Sequence, residues 1–209
     1  MTPFKHVLST EDEIRQIVGY PSEVVQKKTI QELDHHCRTF ISLSPLLFMA
    51  TSDVQGYCDV SPRGDSPGSV YVMDNKHLVI PERPGNRRID SLRNILSNPR
   101  VGLIFLIPGL EETLRVNGEA FVIKDEDILE QMTVKDKKPV LGIGVRVEEA
   151  FIHCAKAFKR SGAWHKDTWV DECELPSIPH MITAHVKSDS FTVDVIRKGL
   201  QDSYEKRLY

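Results

Sequence analysis

The chain lacks a basic excess, a long apolar run and paired cysteines, and each absence removes a class of function. Its 27 Lys and Arg are outnumbered by 30 Asp and Glu, a formal net charge of -3, whereas a nucleic-acid partner calls for a basic balance or a basic face. Local basic clusters must therefore serve something smaller. No apolar run reaches the roughly 20 residues of a membrane-spanning helix, and residues 1–19 are charged rather than patterned as a signal peptide. A cytoplasmic location is expected. Cys37, Cys58, Cys154 and Cys173 are scattered, with no C-x-x-C pair, so neither a disulfide framework nor a zinc site is indicated; reduced, mostly packing thiols are expected. The histidines at 35, 36, 153, 165, 180 and 185 show no H-E-x-x-H spacing, and no metal site is expected. The chain also lacks G-x-S-x-G, a P-loop and G-x-G-x-x-G. If it is an enzyme, the hard chemistry belongs to a bound cofactor that the protein positions.

What is present is ordinary globular material: 209 residues, 40% hydrophobic and 27% charged, enough for one sizeable domain with terminal additions. Thr10 with Glu13 forms a capping-box pattern, predicting a helix that ends at Gly19. A second helix is expected from Ser22, with Ile30, Leu33 and Cys37 on one face and His35 and His36 near its end. Together these make a helical arm over 1–40. From 41 to 160 short strands dominate, at 46–51, 57–61, 70–73, 77–80, 101–107, 113–123 and 140–152, mostly joined by turns. Turn-linked strands without crossover helices predict an antiparallel sheet closing into a small barrel, mainly β with flanking helices. Gly142 and Gly144 offer the bend that closure needs. Short helices are expected near 125–132, 155–160 and 177–186. Ile196, Leu200, Tyr204 and Leu208 mark a terminal helix, so 161–209 is a loop with helices belonging to the same domain.

Three stretches carry chemistry. In 80–99, Pro84-Gly85 breaks the chain, Asn86 is a good N-cap, and Ile89, Leu92, Ile95 and Leu96 recur at helical spacing until Asn98-Pro99. Arg87 and Arg88 then occupy the first turn, where the macrodipole favours anions. Either both arginines are solvated and pair with Asp90 or Glu82, or the helix start and the guanidinium pair hold a phosphate. The second stretch, 58–68, follows a strand and offers Arg63, Gly64 and hydroxyls. It reads as an ordinary surface loop or as a loop bringing N–H groups and one cation to a phosphate. The third is the strand 113–119, with Thr113, Arg115, Asn117 and Glu119 on one face and Leu114 and Val116 on the other. That polar stripe is either a solvated exterior or a set of donors and acceptors for a heteroaromatic edge. Trp164 and Trp169 are candidates to cover a flat ligand or to form a subunit rim.

The runs S-P-R-G-D (61–65), P-x-R-P-G-N-R-R (81–88), N-I-L-x-N-P-R-V-G (94–102) and L-R-V-N-G (114–118) resemble, in order, the FMN-binding split barrel of the pyridoxamine 5'-phosphate oxidase class. They are closest to its subgroup of probable FMN-dependent enzymes. The resemblance implies a six-stranded antiparallel split β-barrel and a homodimer with two FMN sites at its interface. It carries the phosphate clamp to Arg87 and Arg88 with Asn86 beside them, and a further phosphate contact to Arg63 with Gly64. It sets the flavin ring near Thr113 and Asn117, although the oxidase has a glutamine where Thr113 stands. The oxidase's C-terminal substrate motif of arginine and histidine is missing between 169 and 209, so vitamin B6 oxidation is not expected. His153, Lys156, Lys159, Arg160 and Trp164 are the candidates for a local equivalent. The implied function is an FMN-dependent oxidoreductase acting on a small molecule. The alternatives are a non-catalytic flavin- or haem-binding module and a deazaflavin-dependent reductase on the same barrel.

Overall fold

Side chains alternate along the central strands, and that period of two decides which face is core. In Leu46–Ser52 (β1), Leu47, Met49 and Thr51 are buried while Phe48 and Ala50 face outward. The same alternation buries Val101, Leu103 and Phe105 of Arg100–Leu106 (β5) and Leu114 and Val116 of Thr113–Ile123 (β6). A computed structural model describes residues 3–209. Four more strands, Cys58–Gly64 (β2), Tyr71–Val72 (β3), His77–Glu82 (β4) and Leu141–His153 (β7), complete one sheet in the order β2-β1-β5-β6-β7-β4-β3. Every neighbouring pair is antiparallel.

The sheet has seven strands rather than six, because the two-residue segment Tyr71–Val72 still pairs with β4 as an outer edge. It is rolled. β2 and β4 are first and sixth in order, so a flat sheet would hold them about 24 Å apart. Arg63 of β2 nevertheless forms an ion pair with Glu82 of β4, and Asp65 meets Arg83 just beyond these strands at 2.6 Å. Side chains, not a backbone ladder, join the two ends: among the described residues no strand pairing links β2 to β3 or β4.

Helix His35–Leu43 (α3) places Cys37, Phe40 and Ile41, with Leu33 just before it, in the main core, and helix Asp90–Ser97 (α4) adds Leu92 and Ile95. A smaller cluster sets Leu129 of Glu126–Glu130 (α5) and Met132 against Val79. Glu11–Val18 (α1) carries the expected capping box at Thr10 and ends at Gly19. The single helix expected from Ser22 is instead two. Glu23–Lys27 (α2) stops, and Ile30 becomes extended, exchanging backbone bonds of 3.0 and 2.8 Å with Ala150. Pairing with a sheet edge wins over the helical pattern. α3 then starts afresh with Asp34 capping the Cys37 N–H at 2.8 Å, so His35 and His36 open a helix rather than close one. Lys156–Ser161 (α6), Ile178–Val186 (α7) and Val193–Lys206 (α8) follow the sheet.

The bend assigned to Gly142 and Gly144 falls elsewhere. Asn117 pairs with Glu149 but Gly118 with Val147, leaving Glu148 as the extra residue of a β-bulge. A Cβ on Gly118 would lie 2.1 Å from the Arg146 carbonyl oxygen, so the backbones approach as only glycine permits. Gly142 is instead a packing glycine, its absent Cβ facing Val79 at 2.9 Å. Of the cysteines, Cys37 is buried and its thiol pKa is pushed up to about 11 by burial. The other three are exposed, against the packing role expected for them. No helix among the described residues is long and apolar enough to cross a membrane.

Candidate functional site

The site begins with how α4 is fastened. Its apolar side enters the core, and Ser91, Asn94 and Asn98, spaced three and four apart, lie along the side facing β1 and β2. Ser91, only 3% exposed, donates its hydroxyl proton to Asp59 Oδ2 at 2.7 Å. Its oxygen lies 3.0 Å from Ser61 Oγ, and because Ser91 has one proton, Ser61 is the donor of that bond. Asn94 donates to Thr51 Oγ1 at 3.0 Å and Asn98 to Ser52 Oγ at 3.1 Å. These fastening residues were not singled out from the sequence, although their helical spacing was visible in it.

Ahead of α4 the chain does not do what its residues suggest. Asn86 is not the N-cap: its side-chain oxygen accepts the Arg88 N–H at 3.0 Å, a local turn. The cap is Ile89, in the left-handed region at φ 54°, with no side-chain cap bond. Arg87 is left-handed too, at φ 61°. Two such non-glycine residues cost roughly 1 to 3 kcal/mol each. The arginines therefore precede the first turn instead of occupying it, and both are exposed. Arg88 pairs with Asp90 at 2.7 Å, and this bond holds its guanidinium pKa above the ordinary value, with Asp59 near enough to add to the effect. Arg87 makes no ion pair among the described residues. First-turn N–H groups without a side-chain cap, close in sequence to two exposed guanidiniums, make an electropositive helix start suited to an anion.

Arg63 and Gly64, read as loop residues, belong to β2, where they pair with Leu47 and Leu46. The extended sequence Ser61–Gly64 continues the β1 pairing, which overrides the Pro and Gly turn signal. Asp59, Ser61 and Arg63 alternate onto one side of β2 and the exposed Cys58, Val60 and Pro62 onto the other. Arg63 therefore shares a side with the Ser61–Ser91 contact, and its guanidinium pairs with Glu82. Its Nε is buried with no hydrogen-bond partner, which leaves one donor of the fork uncompensated.

Thr113 and Asn117 lie on the outer face of β6, as the alternation predicted, with Leu114 and Val116 in the core. Thr113 is only 4% exposed. Asn117 donates to Glu149 Oε1 at 2.5 Å, Arg115 stands over the Phe151 ring at 5.2 Å, and Glu119 pairs with Arg146. The register sets Val60, Ala50, Gly102 and Asn117 in one row across four strands. Small residues in the middle of that row floor an open groove of about 440 Å³ that also reaches Ser52, Cys58 and Arg100. The Ser91 bonds to Asp59 and Ser61 tie the Arg63 side of β2 to α4, while Gly64 falls on the opposite side with Val60 and Pro62; among the described residues no hydrogen bond or ion pair joins Arg63 or Gly64 to Asn86, Arg87 or Arg88. Thr113 and Asn117 occupy the outer face of β6 and share no bond with that group.

The other candidates sit at and after the end of β7, where the register sets His153 opposite Thr113. Trp164 stacks on Phe158 with ring centroids 5.4 Å apart and donates to the Leu110 carbonyl at 3.0 Å. Lys159 pairs with Glu111 at 2.6 Å and holds its carboxyl pKa below the usual range. Trp169 is exposed and donates to the Ala163 carbonyl at 3.2 Å, while His153, Lys156 and Arg160 are exposed. No group of three or more potential metal ligands occurs among the described residues.

No curated protein matches the chain. Among solved structures, HupZ of Group A Streptococcus is 21% identical over 57% of this chain and 92% of its own, with a TM-score of 0.46. A putative pyridoxamine 5'-phosphate oxidase of Lactobacillus delbrueckii is 23% identical over 58% and 99% of the two chains, with a TM-score of 0.45. An FMN-binding protein of Syntrophomonas wolfei is 7% identical over 56% and 88%, with a TM-score of 0.42. Residues 33–154, more than half of the chain and the whole of the sheet with α3 and α4, match the family model described as pyridoxamine 5'-phosphate oxidase, and the chain belongs to that family.

Proposed function

We propose that this protein is a homodimeric FMN-dependent oxidoreductase whose substrate is a small molecule. The observation that carries the reading is the α4 lead-in: an N-terminus without a side-chain cap, two strained left-handed residues, and Arg87 and Arg88 both exposed. Strain of that kind is retained where a ligand or a mechanism uses it. The residues fit a phosphate monoester. Arg87 has no competing carboxylate among the described residues, and Arg88 can exchange Asp90 for a ligand at little cost, since an exposed ion pair is worth about 0 to 1 kcal/mol. The unpartnered Nε of Arg63 supports that residue as a further donor. Asn86 and Gly64 shape the two backbones that approach the phosphate, and Thr113 and Asn117 offer hydrogen-bonding groups for a flavin ring along the outer face.

When bound, the flavin supplies hydride or electron transfer; the chain's own part is to bind, orient and cover it. Phe48, Val60 and Ile104 are exposed apolar side chains on the outer face, and a second copy of the chain seated there would cover them and the ring together. The test is a flavin titration of the purified protein, wild type and Arg87→Ala with Arg88→Ala. Each lost charge-assisted contact costs about 1.5 to 3 kcal/mol, so the double change lowers affinity by about two to four orders of magnitude if the effects add. Wild-type affinity equal to that of the double variant would overturn the assignment. Haem or a deazaflavin bound in preference to FMN would replace the cofactor.

A further inference from the structure

Asp65 and Arg83 lie just past the strands that carry Arg63 and lead to Arg87, in the place where the rolled sheet has no backbone ladder. Asp65, with its side chain 3% exposed, accepts from Arg83 Nε at 2.6 Å on one oxygen. On the other it accepts from the Ser66 N–H at 2.7 Å and from the Tyr209 hydroxyl at 2.8 Å. Arg83 also donates to the carbonyls of Met132, at 2.7 Å, and Lys137, at 3.2 Å. The Tyr209 ring is flanked by two cations, with Arg83 at 5.7 Å and Lys135 at 5.0 Å from its centroid. Three segments distant in sequence therefore converge on one side chain. α8, which ends at Lys206, buries none of its own residues fully.

We infer that Tyr209 is a positioning residue: by closing the Asp65–Arg83 pair from outside, it holds the ends of β2 and β4 together and so fixes the Asn86–Arg88 lead-in for its anion. Burial alone would raise the Asp65 pKa, but the Ser66 N–H, the Tyr209 hydroxyl and Arg83 outweigh it and leave the carboxyl below its ordinary value. The carboxylate is thus ionised at neutral pH, as the pair requires. A phenylalanine at 209 keeps the ring between its cations and loses only the bond to Asp65.

Two measurements on the full chain test this. The first needs no flavin: trypsin cuts after Arg87 and Arg88 at a rate set by local opening of the lead-in. Tyr209→Phe is expected to speed those cuts by about 10- to 150-fold, the size a hydrogen bond to a charged group gives, and Tyr209→Ala, which also loses the ring, by at least as much. Cuts at Arg15 and Lys27, in the exposed helices α1 and α2, should be unchanged. Equal rates at Arg87 and Arg88 in wild type and Tyr209→Ala would overturn the inference, as would equal acceleration at every site. The second measurement rests on the flavin reading. Tyr209→Ala should weaken FMN by a similar factor and leave riboflavin, which lacks the phosphate, unaffected; equal loss of both would reduce Tyr209 to a general structural role and overturn the inference. Wild-type protein that binds neither flavin would overturn the cofactor reading, while the trypsin result still decides the role of Tyr209.

Discussion

Replacing Ser91 with alanine should unfasten the front of α4 from β2. The hydroxyl is buried, donates to a carboxylate at 2.7 Å and receives the Ser61 proton at 3.0 Å. A hydrogen bond to a charged acceptor is worth about 1.5 to 3 kcal/mol, and Ser61 loses its acceptor as well. Alanine's better helix propensity returns only about 0.5 kcal/mol. The expected net loss is therefore about 2 kcal/mol. In urea titrations this appears as a lower midpoint at unchanged slope, and in melting as a drop of roughly 4 to 8 °C for a chain of this size. Ser97→Ala is the control, since its exposed hydroxyl bonds only to the Asn94 carbonyl of the same helix; it should stay within about 0.5 kcal/mol of wild type. Ser91→Ala combined with Asp59→Asn should fall short of additivity by more than about 0.5 kcal/mol, because the two share one bond. If Ser91→Ala is no more destabilising than Ser97→Ala, the fastening described for α4 is wrong.

Three further variants have definite expected outcomes. Gly118→Ala forces a methyl onto the Arg146 carbonyl oxygen and should cost about 3 kcal/mol or more. Gly199→Ala in α8, with nothing within 4 Å, should be neutral or stabilising by up to about 1 kcal/mol, both read by urea titration. The carboxyl of Asp65 sits below its ordinary pKa, so its contribution to stability is complete above the ordinary carboxylate range and is lost as pH falls through the depressed native value. The stability gap between wild type and Asp65→Asn should accordingly be constant near neutrality and narrow below about pH 4; a gap that widens on acidification would refute the assigned sign.

The strands were legible because burial on one face writes a period of two into the sequence, as Leu47, Met49 and Thr51 show in β1. Where expectation failed, a distant partner outweighed a local signal. Ile30 leaves a helical pattern to bond Ala150, and the Pro and Gly of S-P-R-G-D continue as strand because β1 lies alongside. Asn86 reads as an N-cap by propensity, yet its side chain turns onto Arg88 and the helix starts four residues later. The basic pair stood out in the sequence. Its placement ahead of the helix, the pairing of Arg63 with Glu82 and the reach of Tyr209 across 144 residues were not, because they depend on how the sheet rolls.

The absorption spectrum of the freshly purified protein, followed by titration with FMN, tests the proposed cofactor most directly. A flavin spectrum, or saturable FMN binding that Arg87→Ala with Arg88→Ala abolishes, is the expected result. Colourless protein with no affinity for added FMN would contradict the reading of Asn86, Arg87 and Arg88 as a flavin-phosphate clamp.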